Sequence, residues 1–561
     1  MSNIQNQPCG AVVQLFKRII TPTSIFVTLY QLLKNQIVTN NLTMKGEKMK
    51  RIVACLLVLL SYAVAQIQIS GDIAENTTWT ANNDYLLAGQ TFVKSGITLT
   101  IEPGTVIKSN ADDGTGLAPA LVIERGAKII ADGTADNPIT FTSALPESEL
   151  PQRGTWGGLI ILGNAPTNKG ESFVEGLVGV PYGGDDPDDD SGILRYVRVW
   201  YGGRSIGQDN EINGITFAGV GRGTVVEHCE VAYNLDDGFE FFGGTVNVRH
   251  MSVIFCGDDA FDTDEGYRGK GQFLFAILGQ DQCGRGFEMD NDGSNMDNQP
   301  RSYPQFHNVT LIGPGGGTPA NDGADEMIRL REGTGGDFRN ILIAYGNGVG
   351  LRVKDAATQA LIGDSILFDQ NNVIFNCASG QFHSDNSSMV AVDTDPLFRE
   401  LNGRESGTGL IDPRPSDNSP VLSGGVYLPD DGFFTQADFI GAFGDDLWLK
   451  GWSLLSELGR LVEVSAIDNE LLTVVRSFTM DVYPNPFNPN ASIKINLPKN
   501  DIVTVSVYNM LGEKVAELFS RYLNKGNHTI QFNGTKFSSG IYILNVSTGE
   551  MTYTHRVTLL K

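Results

Sequence analysis

Apolar and polar positions alternate in short runs along most of this chain, and the runs recur. Val226, His228, Val231, Asp236, Asp237 and Phe239 return 22 residues later as Val248, His250, Val253, Asp258, Asp259 and Phe261, and Glu240 returns as Asp262. Ile101-Glu102-Pro103-Gly104 returns at the same offset as Ile123-Glu124-Arg125-Gly126. One period at two distant places marks a solenoid, in which each repeat contacts mainly its neighbours. The repeated residues are β-branched, aromatic and glycine, with few stripes at helical spacing. Each repeat therefore reads as short strands joined by tight turns. The pattern predicts an all-β parallel β-helix with coils stacked about 4.8 Å apart.

Extending the register gives rows that run from coil to coil. Phe239, Phe261 and Phe287 form one row, continued by Ile328 and Leu351, and are expected to point inward. The next residue in each coil then points outward, because successive side chains of a strand alternate. That row reads Glu240, Asp262, Glu288, Arg329, Arg352; two positions on, it reads Phe242, Asp264, Asp290, Arg331, Lys354. The first step needs no insertion, whereas the later ones do. Cys229 aligns with Met251, which predicts a packed core side chain. His228 and His250 would stack near a corner as an imidazole ladder, with no third ligand in view for a metal.

The remaining pattern divides the chain. Ser70 to Ser109 reads as a cap and first coil, and Leu121 to Ser143 as the next coil. Trp156 to Gly163 is a buried strand, and Asn164 to Gly192 a long polar excursion. Coils resume at Ile193 and continue to about Phe398. Pro413, Pro415 and Pro420 then break the period, while Trp448, Trp452 and the run Leu454 to Leu461 suggest a closing helix. An end cap is expected there, because an open coil end exposes unpaired strand edges. The solenoid and cap occupy 66–462 and a linker 463–475. Residues 476–561 form a small second domain of alternating strands, including Ser492–Leu497, Val503–Tyr508, Ser539–Leu544 and Tyr553–Leu559, with a turn at Met510-Leu511-Gly512-Glu513. Such spacing predicts an immunoglobulin-like sandwich.

Met49-Lys50-Arg51, the apolar run Ile52 to Leu60 and Ala63-Val64-Ala65 form a signal peptide over 49–65, with the mature chain expected from Gln66. Residues 1–48 read as an over-called start, with Met44 or Met49 as the initiator. The rival membrane anchor near Val12 to Leu33 is broken by Lys17, Arg18 and Pro22, so no transmembrane segment is expected in the mature chain. Glycine supplies 66 of 561 residues without a Gly-X-Y period, which reads as turns. The formal net charge of −24 excludes nucleic acid as a partner, since phosphate binding needs a basic face. Cys229, Cys256, Cys283 and Cys377 remain after the signal. Export permits disulfides among them, and the absence of a CxxC pair argues against a cysteine zinc site.

The outer rows carry the candidate chemistry. Carboxylates one coil apart repel by about 0.9 kcal/mol in water and about 3.5 kcal/mol at an effective dielectric of 20. Such a row needs solvent, raised pKa values, neighbouring cations or a bound metal. A solvated, salt-bridged face with Arg329 and Arg331 neutralising Glu288 and Asp290 is the first expectation. The sharper one is a ligand-binding groove of Glu240, Asp262, Glu288, Arg329, Arg331 and Arg352 for an extracellular polysaccharide. Calcium, which prefers several oxygen ligands, would sit on Asp262, Asp264, Glu288 and Asp290, or in the loop carrying Asp185, Asp186, Asp188 and Asp190. A catalytic version would use Asp237 and Asp259 with Arg329 as a base.

Two resemblances add to this. Tyr483-Pro484-Asn485-Pro486-Phe487-Asn488-Pro489, Val507-Tyr508-Asn509-Met510-Leu511-Gly512, Gly526-Asn527-His528 and Ser538-Ser539-Gly540-Ile541-Tyr542 resemble the type A C-terminal sorting domain of type IX secretion substrates. That resemblance implies the type IX secretion machinery as a partner and passage through the periplasm and outer membrane. It usually also implies removal of the tail, with surface attachment or release. Trp156 to Pro166, Leu194 to Arg198, Asp236 to Gly244, Gly432-Phe433-Phe434 and Gly441-Ala442-Phe443 resemble exported right-handed β-helix proteins of pectin-lyase-like fold. This implies a fold and a location and no particular activity. Asn234-Leu235-Asp236 and Gly257-Asp258-Asp259 are similar to the carboxylate motifs of polygalacturonases, but their Gly-His-Gly and Arg-x-Lys motifs are missing from the later coils. The expectation is an exported protein with a binding, adhesion or surface-structural role; the alternative is a polysaccharide lyase or glycoside hydrolase.

Overall fold

The computed structural model describes residues 66–561 except 112–116, 175–176, 178, 205–211, 318–322, 407–408, 463–478, 498–500, 511–512, 524–525 and 549–551. The upstream segment 1–48, the signal peptide 49–65, the linker 463–475 and the Leu511-Gly512 turn lie outside the described residues. The chain divides into two compact units, one ending at Val462 and one covering Glu463–Lys561.

The first unit is a parallel β-helix, its strands joined in one 23-stranded sheet that winds on itself. A coil contains one short strand, such as Phe239–Phe242, and one long strand, such as Asn247–Ile254. The predicted 22-residue register is present: Val226 pairs with Val248, Cys229 with Met251 and Phe239 with Phe261. It survives the insertions too, since Phe261 pairs with Phe287, Phe287 with Ile328 and Ile328 with Leu351. The inward row is a dry ladder, with Phe261 ring centroids 5.5 Å from Phe239 and 5.6 Å from Phe287. Cys229 is packed inside it. The four described cysteines are all free thiols.

The six long strands from Gly192–Trp200 to Gly336–Ala344 each bend at one residue with positive φ. Tyr196 (φ 49), His228 (53), His250 (52), Phe273 (60), Asn308 (55) and Asn340 (57) hold equivalent positions on six consecutive coils. Left-handed backbone costs a non-glycine residue roughly 1–2 kcal/mol, so the column requires compensation. Its aromatic part stacks: His228 lies 4.4 Å from Tyr196 and 4.3 Å from His250, and His250 lies 4.9 Å from Phe273. The imidazole ladder expected from the sequence is therefore the middle of a longer aromatic column. Its last two members are asparagines, which tolerate the left-handed region best.

Three expectations are corrected. Ile101 and Ile123 are not stacked; Ile101 pairs with Ala131 and Ile123 with Val93. The repeated Glu-x-Gly is a turn used at two different corners, with Gly104 and Gly126 both near φ 81–82. The segment expected as a leading cap is already sheet, since Ile67–Ile73 pairs with the Tyr85–Val93 strand. The last strand of the wound sheet is Val373–Phe375, and parallel bridges of Leu351 to Phe382 and of Val373 to Val392 carry the winding on towards Phe398.

The third correction is the largest. The stretch expected to cap the coil end is a strap along the side of the solenoid. It contains the antiparallel pair Phe398–Glu400 and Asp412–Pro415 and a single helical turn, Leu454–Glu457. Ala232, Ile254, Phe275, Ile277 and Ile312 sit on the outward side of the bent strands, and the strap's Phe443, Trp448, Leu449, Trp452 and Leu455 bury them. A sheet apolar on both faces must be covered on both, and that demand outweighs the edge at the coil end.

The second unit has two antiparallel sheets. One joins Thr479–Tyr483, Asn490–Leu497 and Gly526–Asn533; the other joins Asp501–Tyr508, Lys514–Leu523, Gly540–Ser547 and Thr552–Leu559. Ile493, Ile495 and Phe532 from the first share a core with Val505, Val507, Leu544 and Leu559 from the second.

Phe261 is fully buried between two rings. Phe261→Ala should therefore cost about 3–5 kcal/mol in a denaturant melt. A loss within about 0.5 kcal/mol would contradict the ladder.

Candidate functional site

The outward side of the short strands carries the graded row. Glu240 pairs in register with Asp262, Asp262 with Glu288, Glu288 with Arg329 and Arg329 with Arg352. Just before each strand, the corner adds a second row. Asp237, Asp259, Arg285 and Glu326 stand at equivalent positions, one residue before the backbone links that join Gly238, Ala260, Gly286 and Met327.

Acid dominates one end. Asp236, Asp237 and Asp258 present carboxylate oxygens within 4.8 Å of one another, as do Asp237, Glu240 and Asp262, and Asp259, Asp262 and Glu288. Asp262 belongs to two of these groups. One of its oxygens is shielded from solvent and takes no hydrogen bond. Asn213 donates to Glu240 from the preceding coil. No ion pair with Asp237 or Asp262 forms among the described residues.

Cations enter one coil further. Arg285, 2 % exposed, places Nη1 3.1 Å from Asp259 and 3.2 Å from Glu288, with Nε 3.5 Å from Glu326. Arg329 bonds Glu288 at 3.1 Å and also pairs with Glu326. Arg331 holds Asp290 at 2.7 Å and reaches Glu288 at 3.4 Å. The salt-bridged character expected from the sequence is present, but the face is only partly solvated: Glu240, Asp259, Asp290, Glu326 and Arg329 are buried, while Asp262, Glu288, Arg331 and Arg352 keep partial exposure.

Burial and crowding set the protonation. Burial, then the neighbouring Asp236 and Asp262, raise Asp237 well above the usual carboxylate range. Burial with Glu240, Glu288 and Asp290 does the same to Asp262. Asp259 is pushed up to about 6 by burial and Glu288, with Arg285 opposing. Burial lifts Asp290 to about 7 although Arg331 opposes it. Asp264 reaches about 8 through burial and the adjacent Asp290. Asp259, Asp290 and Asp264 thus lie near neutrality, well above ordinary carboxylates, and burial and crowding move Asp237 and Asp262 in the same direction.

The candidate residues thus divide. Glu240, Asp262, Glu288, Arg329 and Arg331 are brought together. Arg352 continues the row, 3.9 Å from Asp325. Asp264 and Asp290 lie beside the three carboxylate groups and in none of them. Asp237 accepts the Asp259 backbone N–H, Asp259 is engaged by Arg285, and Arg329 by two glutamates. In the aspartate loop, Asp188 pairs with Arg222 at 2.6 Å, Asp190 with Lys128 at 2.5 Å, and Asp186 accepts from the Asp188 backbone. Asp185 is exposed beside them. These side chains point to separate partners, and no convergent group of them forms among the described residues. Arg285 and Glu326 were missed. The available signal was position: Arg285 stands two residues before Phe287, as Asp237 does before Phe239.

The fold defines the class of this molecule, a parallel β-helix followed by an antiparallel β unit. The profile of the pectate-lyase-like beta helix domain matches residues 71–413, and the chain belongs to that family. The secretion system C-terminal sorting domain matches residues 481–559, which makes this an exported protein of the type IX route, bound for the cell surface or extracellular space. No curated protein matches the chain. Two solved structures are similar at low level. The enzymatically active domain of bacteriophage CBA120 tailspike protein 2 is 8 % identical, covering 86 % of this chain and 72 % of its own, with a TM-score of 0.25. Full-length tailspike protein 2 from an Escherichia coli O157:H7 bacteriophage is 10 % identical, covering 86 % and 64 %, with a TM-score of 0.20. Likenesses at that level carry no argument about the site. Among the described residues, no helix is long and apolar enough to cross a membrane.

The raised carboxyls make stability pH-dependent. A carboxyl whose value is higher in the folded chain contributes stability below its unfolded value and loses it as pH rises through the folded one. His228 and His250, depressed to about 4 and about 3 by burial, slope the other way, but only below the ordinary histidine value of about 6.5. Between pH 6.5 and 8.5 the melting temperature should therefore fall. Asp264→Asn should flatten the upper part of that decline; a slope unchanged in the variant would place the proton elsewhere.

Proposed function

We propose that this protein binds an extracellular polysaccharide at the cell surface through the graded outer row, with calcium on its acidic end. The observation that carries this reading is Asp262, which joins two carboxylate groups and keeps one shielded oxygen without a hydrogen bond. Asp237, Glu240 and Asp262 offer a hard-cation donor set, and Asp259 and Glu288 extend it; a divalent ion there would offset the mutual repulsion. Arg331 and Arg352, each partly exposed, would meet acidic or hydroxyl groups of a saccharide one coil away. In the same reading residues 49–65 are a signal peptide, and the two sheets of the tail form an immunoglobulin-like sandwich.

A second reading, a polysaccharide lyase or hydrolase, is favoured by Asp259 and Asp264, whose carboxyls are placed near neutrality by burial, as general acid–base chemistry requires. Glycan-array binding combined with assays for reducing ends and unsaturated products separates the two readings. Binding without product supports the first.

Calcium should raise the melting temperature relative to EDTA. A hundredfold excess over Kd corresponds to about 2.7 kcal/mol. Asp262→Asn should abolish that rise. Equal melting in both media with no calorimetric signal would remove calcium from the proposal. A rise that persists in Asp262→Asn would move the ion to the Asp185–Asp190 loop.

Deleting 476–561 should leave a folded solenoid in the periplasm. Normal surface delivery of the truncated chain would contradict an export role for that unit.

A further inference from the structure

The chain has six histidines, and three of them lie beneath the strap. Trp452 packs edge-on against His228 at 6.1 Å, and Trp448 against His250 at 5.3 Å. Phe434 stacks flat on His307 at 4.1 Å. His307 is fully buried and neither of its ring nitrogens has a hydrogen-bond partner; Nδ1 of His228 has none either. The nearest carboxylate to His307, Asp337, is 3.6 Å away and already bonded twice by Arg339. A buried N–H without a partner is costly, and a charged imidazole in that place more so. We propose that the strap is an acid-released cover, lifted when these imidazoles take up protons and baring the aromatic bend column beneath it.

The linkage follows from the geometry. Under the strap, burial holds all three histidines below their ordinary value. With the strap lifted, water reaches the rings and restores about 6.5. The closed form therefore binds fewer protons, and falling pH favours opening. The other groups around the strap are fixed charges or act in known directions. Arg195 and Glu227 face His228, and Arg249 lies under Phe433 at 4.4 Å. Lys270 holds the strap's Asp431 at 2.5 Å, and Glu457 meets Arg198 at 2.9 Å. Asp446 faces Tyr196. Burial works against Asp337 and Asp431, yet His307 and Arg339 hold the first, and Lys270 the second, below the usual carboxylate range; Asp337 in turn pulls His307 upward, a smaller effect than its burial. Glu230 opposes the effect. Buried beneath the strap, where it accepts the Leu454 N–H at 2.7 Å, it is raised by burial and releases a proton on exposure. Three imidazoles against one carboxyl leave a net uptake on opening.

Hydrogen–deuterium exchange of the full chain at pH 7.5 and 5.0, corrected for intrinsic rates, tests this. Protection of amides in 426–461 should fall roughly 30-fold or more at pH 5.0, from a net uptake of at least one proton below pH 6.5. Amides of the wound sheet should keep theirs. The triple variant His228→Phe, His250→Phe, His307→Phe keeps the rings and removes the titration, so its strap should lose the pH dependence. If that variant does not fold, His307→Phe alone should abolish the response of 431–435. A wild-type strap insensitive to pH overturns the proposal. So does a response retained in the variants, or strap and sheet opening in parallel.

Discussion

One left-handed residue in each of the six long strands between Gly192 and Ala344 shapes everything that follows. It turns a strand of eight or nine residues through a corner without a loop, so each coil can close on itself in few residues. Six such residues in register would be a standing cost. They are tolerated because each corner is satisfied by its neighbours: rings stack on rings from Tyr196 to Phe273, and amides take over at Asn308 and Asn340. The strap adds to that satisfaction, with Asn308 donating to the Phe439 carbonyl and Asn340 bonding both backbone groups of Val426. Backbone strain, aromatic stacking and the lateral cover are thus one arrangement.

The same regular stacking creates the electrostatic character of the outer row. A parallel sheet repeats identical positions at a fixed short spacing, so an acid that recurs in sequence meets itself in space. The chain answers this in two ways. On the later coils it inserts Arg285, Arg329 and Arg331 among the acids; on the earlier coils burial and crowding raise Asp237 and Asp262 well above the usual carboxylate range. The transition falls between the strands at 261–264 and 326–330, where the insertions between coils are longest.

Much of this could be read from the residues. The register of the short strands from Phe239 to Leu351 was legible because the side-chain period of a strand is two and an inward phenylalanine is followed by an outward polar residue. The sorting unit was legible because its motifs are specific. The Ile101–Ile123 match misled, since a Glu-x-Gly turn recurs wherever a corner needs a left-handed glycine, whichever corner it is. The burial of the outer row was not legible: a charged residue pointing outward from a strand reads as solvated, and Asn213 or Arg285 reveals otherwise only through packing. The strap was misplaced because its composition, proline, tryptophan and leucine, specifies a cover without saying which surface is covered.

The strap also measures the solenoid. Gly441 takes the carbonyl of Asn340, Ala442 the hydroxyl of Thr310, and Phe443 packs on Phe275; Trp448 and Trp452 follow on His250 and His228, and Arg198 reaches the Trp452 carbonyl. These contacts fall on six successive coils in strict order. A chain slipped by one coil would lose the Thr310 hydroxyl from Ala442 and the Phe275 ring from Phe443, because the equivalent positions of neighbouring coils, Ser252 and Leu342 among them, differ there. The strap therefore acts as a ruler with unequal marks: it follows in sequence the coils it spans, and those marks favour one register of strap on stack.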